Sequence, residues 1–172
     1  MTPVLLVALL GASPVVQVGL ERVEADGGRP LLGKRVGLVA HAGSVTAAGR
    51  HAIDVLRSRG VEVRRLFGPE HGLRGTAAAG ARVASGTDAA SGLAVVSLYG
   101  EHTKPRAEDL EGLDALVVDL QDAGVRFYTY ASTMLLCLEA AAEAGIELVV
   151  LDRPNPLGGS RAAGPTRDSA AE

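Results

Sequence analysis

Apolar residues in this chain fall into five short blocks set apart by polar or glycine-rich stretches: Lys34–Ala40, Val61–Phe67, Leu93–Leu98, Asp114–Leu120 and Ile146–Leu151. Runs of this length with little alternation predict strands covered on both faces. Between the first two, Ala48 to Arg59 sets Ile53 and Leu56 on one side and meets Gly60, which predicts a helix with a glycine stop. Pro105 opens a short helix through Leu110. From about Thr129 the period lengthens. Ala131, Met134, Leu135, Leu138, Ala141 and Ala142 then form one face, and Ser132, Glu139 and Glu143 another, which predicts an amphipathic helix ending at Gly145. Strand, helix and strand at this spacing predict an α/β fold with an open, mainly parallel sheet and helices on both faces.

The remaining stretches carry less pattern. Gly19 to Arg29 is polar and covers one end of the domain, docked by Leu20, Val23 and Leu31-Leu32. Thr76 to Gly92 is rich in alanine, glycine and serine without periodicity. It reads as a long loop, with a short helix over Ala77–Val83 as the alternative. At the N-terminus, Val4 to Leu10 is apolar and Gly11-Ala12-Ser13 is small, as at the end of a secretory signal, although a basic leader is missing. Residues 1–17 are therefore read as a signal-peptide remnant, 18–157 as the α/β unit and 158–172 as a truncated linker. No run reaches the roughly 18 apolar residues that a membrane span needs.

Composition narrows the function classes. With 172 residues, 47% hydrophobic and 22% charged, the chain can bury one core. A net charge of −3 argues against a nucleic-acid surface, and Arg64-Arg65 falls inside a predicted strand. The single cysteine, Cys137, has no partner for an internal disulfide and no C-x-x-C spacing. It sits among Leu135, Leu136 and Leu138 and reads as a buried thiol.

Polar residues gather where each predicted strand ends: His41 after the first, Glu70 and His71 after the second, and Tyr99, Glu101 and His102 after the third. Asp119, Gln121, Asp122 and Arg126 follow the fourth, and Asp152, Arg153 and Asn155 the fifth. In an open parallel sheet these ends share one edge, where ligands bind. Three of the five aromatic residues, Phe127, Tyr128 and Tyr130, fall within four consecutive residues after the fourth strand. His51 falls on the predicted helix and reads as a solvated surface residue.

Neither G-x-G-x-x-G nor G-x-x-x-x-G-K-[ST] follows the first strand, so a nucleotide cofactor is not expected. No serine occupies a G-x-S-x-G turn. His41, His71 and His102 lack H-x-H or H-E-x-x-H spacing, which weakens a metal site. Carboxylate acid/base chemistry fits best. Glu70, in a glycine-bounded turn, is a candidate acid if desolvation raises its pKa. A structural pair with Arg74, or a helix cap, competes with that role. Asp119 and Asp122 are candidates too, against capping the next helix or pairing with Arg126. Tyr128, Tyr130 and Arg126 suit a sugar-stacking or orienting surface. Asp152-Arg153 reads as either a contact to substrate or a salt bridge.

Four segments together are similar to a known family: Gly68-Pro69-Glu70-His71-Gly72, Ser97-Leu98-Tyr99-Gly100, Asp119 to Tyr130 (DLQDAGVRFYTY) and Leu151-Asp152-Arg153-Pro154-Asn155-Pro156. In this order they resemble the bacterial exo-β-N-acetylmuramidases of the NamZ type. The resemblance runs from about Val18 to Pro165. It implies a secreted or periplasmic glycosidase, with a cytoplasmic location left open, that releases N-acetylmuramic acid from the non-reducing end of peptidoglycan fragments without a cofactor. It implies a Rossmann-like subdomain followed by a second one, with the active site in the cleft between them and Glu70 as the catalytic glutamate. On this reading Glu70 is the general acid, and Asp119 or Asp122 positions water or stabilises the sugar cation. Arg126 meets the lactyl carboxylate, and His71, Gln121, Tyr128, Tyr130, Asp152, Arg153 and Asn155 line the substrate site. The family's chains are longer, so this one is expected to be a truncated form. A non-catalytic muropeptide-binding module and a metal-dependent hydrolase stay open beside the glycosidase.

Overall fold

The computed structural model describes residues 16–165. The expected signal remnant before Val16 and the end of the expected linker lie outside the described residues. Eleven elements follow in order, counting one short 3-10 turn at Arg29–Leu31. They are α1 (Gly19–Ala25), β1 (Arg35–Ala40), α2 (Ala52–Ser58), β2 (Glu62–Gly68), β3 (Gly86–Thr87), β4 (Ala94–Ser97), α3 (Ala107–Leu110), β5 (Ala115–Asp119), α4 (Tyr130–Ala144) and β6 (Glu147–Val150). All five predicted strands are present.

The sheet order is β3-β4-β2-β1-β5-β6. β1 pairs in parallel with β2 and β5, β2 with β4, and β5 with β6; only the two-residue β3 runs antiparallel, at the edge beside β4. From β1 the chain builds outward through β2 and β4, then returns to the other side of β1 for β5 and β6. The reversal lies between β1 and β5, which is where open α/β sheets bind ligands.

Period-two alternation separates two cores. Val36, Leu38 and Ala40 of β1 pack with Ala115 and Val117 of β5, with Leu20 and Val23 of α1, and with Ile53, Val55 and Leu56 of α2. On the other face Val39, Phe67, Leu116 and Val118 meet Leu110 of α3 and Cys137 and Ala140 of α4. Each fully buried leucine, valine or phenylalanine contributes about 1.5–3 kcal/mol. Gly37 is needed for space: a Cβ there would lie 2.7 Å from Leu113 and 2.9 Å from Phe67.

Three expectations need correction, and one alternative to the long loop falls away. No helix forms over Ala77–Val83; that segment is irregular and leads into β3. α2 begins at Ala52 rather than Ala48, because Val45 and His51 form an isolated bridge that closes a turn first. His51 is the N-cap of α2 and half-buried, not solvated. Finally, α4 turns a different face inward. It buries Tyr130, Thr133, Cys137, Ala140 and Ala141, while Met134, Leu135 and Leu138 stay exposed. Small residues let the helix approach the sheet closely, so the large apolar side chains point away. Gly145, at φ 65°, ends the helix in the left-handed conformation that glycine adopts without strain.

Candidate active site

The floor of the sheet edge is a buried ion pair. Asp119, the last residue of β5, is fully buried, and both of its carboxylate oxygens meet one guanidinium. Arg153 donates Nε to Oδ1 at 2.5 Å and NH2 to Oδ2 at 2.9 Å. It also donates NH1 to the Val45 carbonyl at 3.1 Å. Burial pushes the Asp119 carboxyl up, and the Arg153 charge works against that shift. The expectation that Asp119 positions water or stabilises a sugar cation is corrected here: the carboxylate has no open face. Arg153 likewise pairs with Asp119, not with its neighbour Asp152, and its expected contact to substrate gives way to this structural role. Asp152 is exposed.

Above the pair lies His41, to which sequence reasoning assigned no role. Ser44 Oγ donates to the Asp119 carbonyl at 2.5 Å and accepts from the His41 backbone N–H at 2.9 Å. The His41 ring meets two backbone donors, Gly43 N–H at Nδ1 and Gln121 N–H at Nε2, each at 3.2 Å. A neutral imidazole has one lone pair for the two, and an imidazolium has none. Burial first, then the nearby Arg153 charge, hold the His41 pKa down to about 4. His51 stands behind it, its Nε2 3.0 Å from the His41 carbonyl, and is also held low by burial.

An aromatic ladder joins His41 to Glu70. The His41 and Tyr130 rings meet edge to face with centroids 4.9 Å apart, and Tyr130 meets Tyr128 in the same way at 4.8 Å. Tyr130 is buried, and its hydroxyl donates to the Glu70 carbonyl at 3.2 Å. The Glu70 carboxylate then accepts two hydrogen bonds: from Gly80 N–H to Oε1 at 2.9 Å, and from Thr129 Oγ1 to Oε2 at 2.8 Å.

These donors reverse one expectation. The Gly80 N–H, followed by the Thr129 hydroxyl, lowers the Glu70 pKa and outweighs its slight desolvation. Glu70 is therefore a carboxylate at neutral pH, not the protonated acid that desolvation was expected to give. It does not pair with Arg74, which is committed to Asp88 through Nε–Oδ1 at 2.9 Å and NH2–Oδ2 at 2.8 Å. Beside Glu70, His71 holds φ at 67°, an uncommon value for a residue with a Cβ. Its Nδ1 lies 3.0 Å from the Ala77 carbonyl, which pins the loop that supplies Gly80.

The other predicted residues divide. Gln121 Nε2 donates to the carbonyls of Asp122 and Pro154 at 2.9 and 3.1 Å, tying the loop after β5 to that after β6. Asp122 folds onto Gly124 N–H at 2.8 Å; it neither caps α4 nor pairs with Arg126. Asn155 accepts from Leu157 N–H at 2.9 Å and packs so closely that a Cβ on Gly124 would lie 2.2 Å from it. Arg126 is exposed and donates to the Pro165 carbonyl at 3.0 Å. Glu70, Tyr128 and Tyr130 are thus brought together. Gln121, Asp122 and Asn155 shape the loops beside them, and Arg126 lies on the rim. Thr129 and Gly80, which set the state of Glu70, carried no signal in the sequence beyond their place in the motif and the long loop. Among the described residues no group of three or more His, Cys, Asp or Glu is placed to hold a metal ion.

Known proteins are similar to this chain in sequence and fold. Residues 36–172 match the family described as exo-beta-N-acetylmuramidase NamZ, N-terminal. The chain is 45% identical over 153 residues to the peptidoglycan beta-N-acetylmuramidase NamZ of Bacillus subtilis (strain 168), covering 88% of itself and 37% of that protein. Two crystal structures of DUF1343 family proteins from Bacteroides fragilis NCTC 9343 share the fold. One has a TM-score of 0.80 and 41% identity, covering 90% of this chain and 38% of its own. The other has a TM-score of 0.66 and 32% identity, covering 81% and 35%. The chain thus spans little more than a third of the length of these relatives. With its α/β sheet, its PEHG turn and its DLQDAGVRFYTY segment, the chain belongs to the NamZ N-terminal family.

Proposed function

We propose that this chain is the glutamate-bearing part of a glycoside hydrolase that releases N-acetylmuramic acid from the non-reducing end of peptidoglycan fragments. The observation that carries the reading is the Glu70 carboxylate, held at the sheet edge by Gly80 and Thr129 beside the Tyr128–Tyr130–His41 ladder. Membership of the NamZ N-terminal family supports this substrate class. Because two donors stabilise its charged form, Glu70 enters the reaction ionised. It acts on water as a base, or on the developing sugar cation as a counter-charge. The Tyr128 ring and Arg126 on the rim offer stacking and polar contacts to the sugar. His71 holds the PEHG turn, and Gln121, Asp122 and Asn155 keep the neighbouring loops in place. Asp152 is an exposed rim group. A peptidoglycan substrate is consistent with a secreted or periplasmic protein.

A second reading is favoured by one observation: Asp119 and Asp122, the expected second carboxylates, are both committed to internal partners. On that reading the 172-residue chain binds a muramic acid glycoside without cleaving it. Incubation with a chromogenic N-acetylmuramic acid glycoside separates the two. Release that disappears in Glu70→Gln supports hydrolysis by this chain; saturable binding without release supports the module. Neither release nor binding would remove both readings for the chain on its own.

A further inference from the structure

At the end of β4, Gly80, Arg82, Tyr99, Gly100 and Thr103 line an open cleft of about 230 Å³. It adjoins the candidate catalytic group directly, because Gly80, which lines it, donates its N–H to Glu70 Oε1 at 2.9 Å. The strap that carries Arg82 is fixed on both sides. His71 Nδ1 holds Ala77, and Val83 N–H donates to the Tyr99 carbonyl at 2.8 Å. Ser97 N–H donates to Ser85 Oγ at 3.0 Å and fastens the strap to β4.

Of the other arginines near this edge, Arg153 pairs with Asp119, Arg74 with Asp88 and Arg106 with Glu108 and Asp109, while Arg126 donates to the Pro165 carbonyl. Arg82 takes part in none of the ion pairs among the described residues. Arg82 lines this concave site with Tyr99 and Thr103, and a guanidinium with no ionic partner among the described residues suits a planar anion. The need for a cation is also local. A negatively charged sugar brought against the Glu70 carboxylate is repelled by it, and a neighbouring positive charge offsets that repulsion.

We propose that this cleft takes the carboxylate of an anionic amino sugar and that Arg82 is the residue that selects for it. The inference rests on the glycosidase reading above and adds a specificity determinant that the sequence placed on Arg126 instead.

The test is a binding titration of the full 172-residue chain with N-acetylmuramic acid and with N-acetylglucosamine, which lacks the lactyl carboxylate. Wild type, Arg82→Met and Arg64→Met are compared, followed by backbone NMR shifts. Arg82 is exposed and has no ionic partner among the described residues, so its replacement leaves the fold in place, which the same spectra verify. Wild type should prefer N-acetylmuramic acid by about tenfold or more, as expected for a charge-assisted pair. Arg82→Met should bring the two affinities to within about twofold, and Arg64→Met, an exposed arginine toward the other end of β2, should keep the preference. Retention of the preference in Arg82→Met, or its absence in wild type, overturns the inference. Either result leaves the glycosidase reading standing, since that is judged by hydrolysis and its dependence on Glu70.

Discussion

Arg153 grips Asp119 through two parallel hydrogen bonds, Nε to Oδ1 at 2.5 Å and NH2 to Oδ2 at 2.9 Å, and so locks the end of β5 to the chain leaving β6. Both groups are buried. Removing one partner strands a charge without solvent. Arg153→Met should therefore destabilise the fold by about 3–5 kcal/mol in a urea titration, whereas Asp119→Leu with Arg153→Met should recover most of that loss. A single variant as stable as wild type would show that the pair does not hold the two loops.

Thr129 should control the charge of Glu70. Its hydroxyl and the Gly80 N–H favour the carboxylate, and both lower its pKa. Thr129→Val removes one donor while keeping the shape of the side chain, so the Glu70 titration followed by carboxyl ¹³C NMR should move upward. An unchanged midpoint would mean that Thr129 does not act on Glu70.

His41 gives a pH dependence of definite sign. An unfolded histidine titrates near 6.5, and the folded one is held down to about 4. Between these values the unfolded chain binds more protons, so stability rises with pH through that window and is lost as pH falls toward 4. Replacing His41 with Gln should flatten the stability profile between about pH 4 and 6.5. An imidazole NMR titration of wild type with its midpoint near 6.5 would contradict the burial argument.

Asp88 adds a second dependence at lower pH. The Arg74 guanidinium, with the Ser91 hydroxyl and N–H, holds its carboxyl well below the usual range. Its contribution is complete above the unfolded value of about 3.9 and is lost as pH falls through the lower folded value. Asp88→Asn should weaken the fall in stability below about pH 4, measured by urea unfolding at stepped pH. A fall as steep as wild type's would count against the Arg74 pair.

Much of the fold was legible because buried parallel strands are continuous apolar runs, and five of them stand out between glycines and prolines. Long-range pairing was not. Nothing next to Asp119 in the chain reveals that its partner is Arg153, 34 residues on, so a strand-end carboxylate looked open when it was sealed. Glu70 was legible as a candidate but its charge state was not, since the donors come from Gly80 and Thr129 on two other loops. On α4 the periodicity was read correctly and the face was not. Hydrophobicity marks Met134, Leu135 and Leu138 as core, whereas close packing on the sheet selects Thr133, Cys137 and Ala140. His51 was misplaced because a turn closed by the Val45–His51 bridge delays the helix to Ala52.

That inverted face has its own consequence. Leu135 and Leu138 are 54% and 48% exposed. Leu135→Gln with Leu138→Gln should change the stability of this chain by no more than about 0.5 kcal/mol per site, while Leu116→Ala in the core should cost about 2–5 kcal/mol. Equal losses in thermal unfolding would place Leu135 and Leu138 in the core after all.

The proposed role of the Glu70 carboxylate is to carry the chemistry of a muramidase. Its most direct test uses a full-length family member in which the glutamate matching Glu70 is changed to glutamine, a substitution that keeps shape and removes charge. Release of N-acetylmuramic acid from a chromogenic glycoside is then timed. If the glutamate holds that role, kcat falls about 10²–10⁴-fold with the fold intact. Turnover within about twofold of wild type would contradict it.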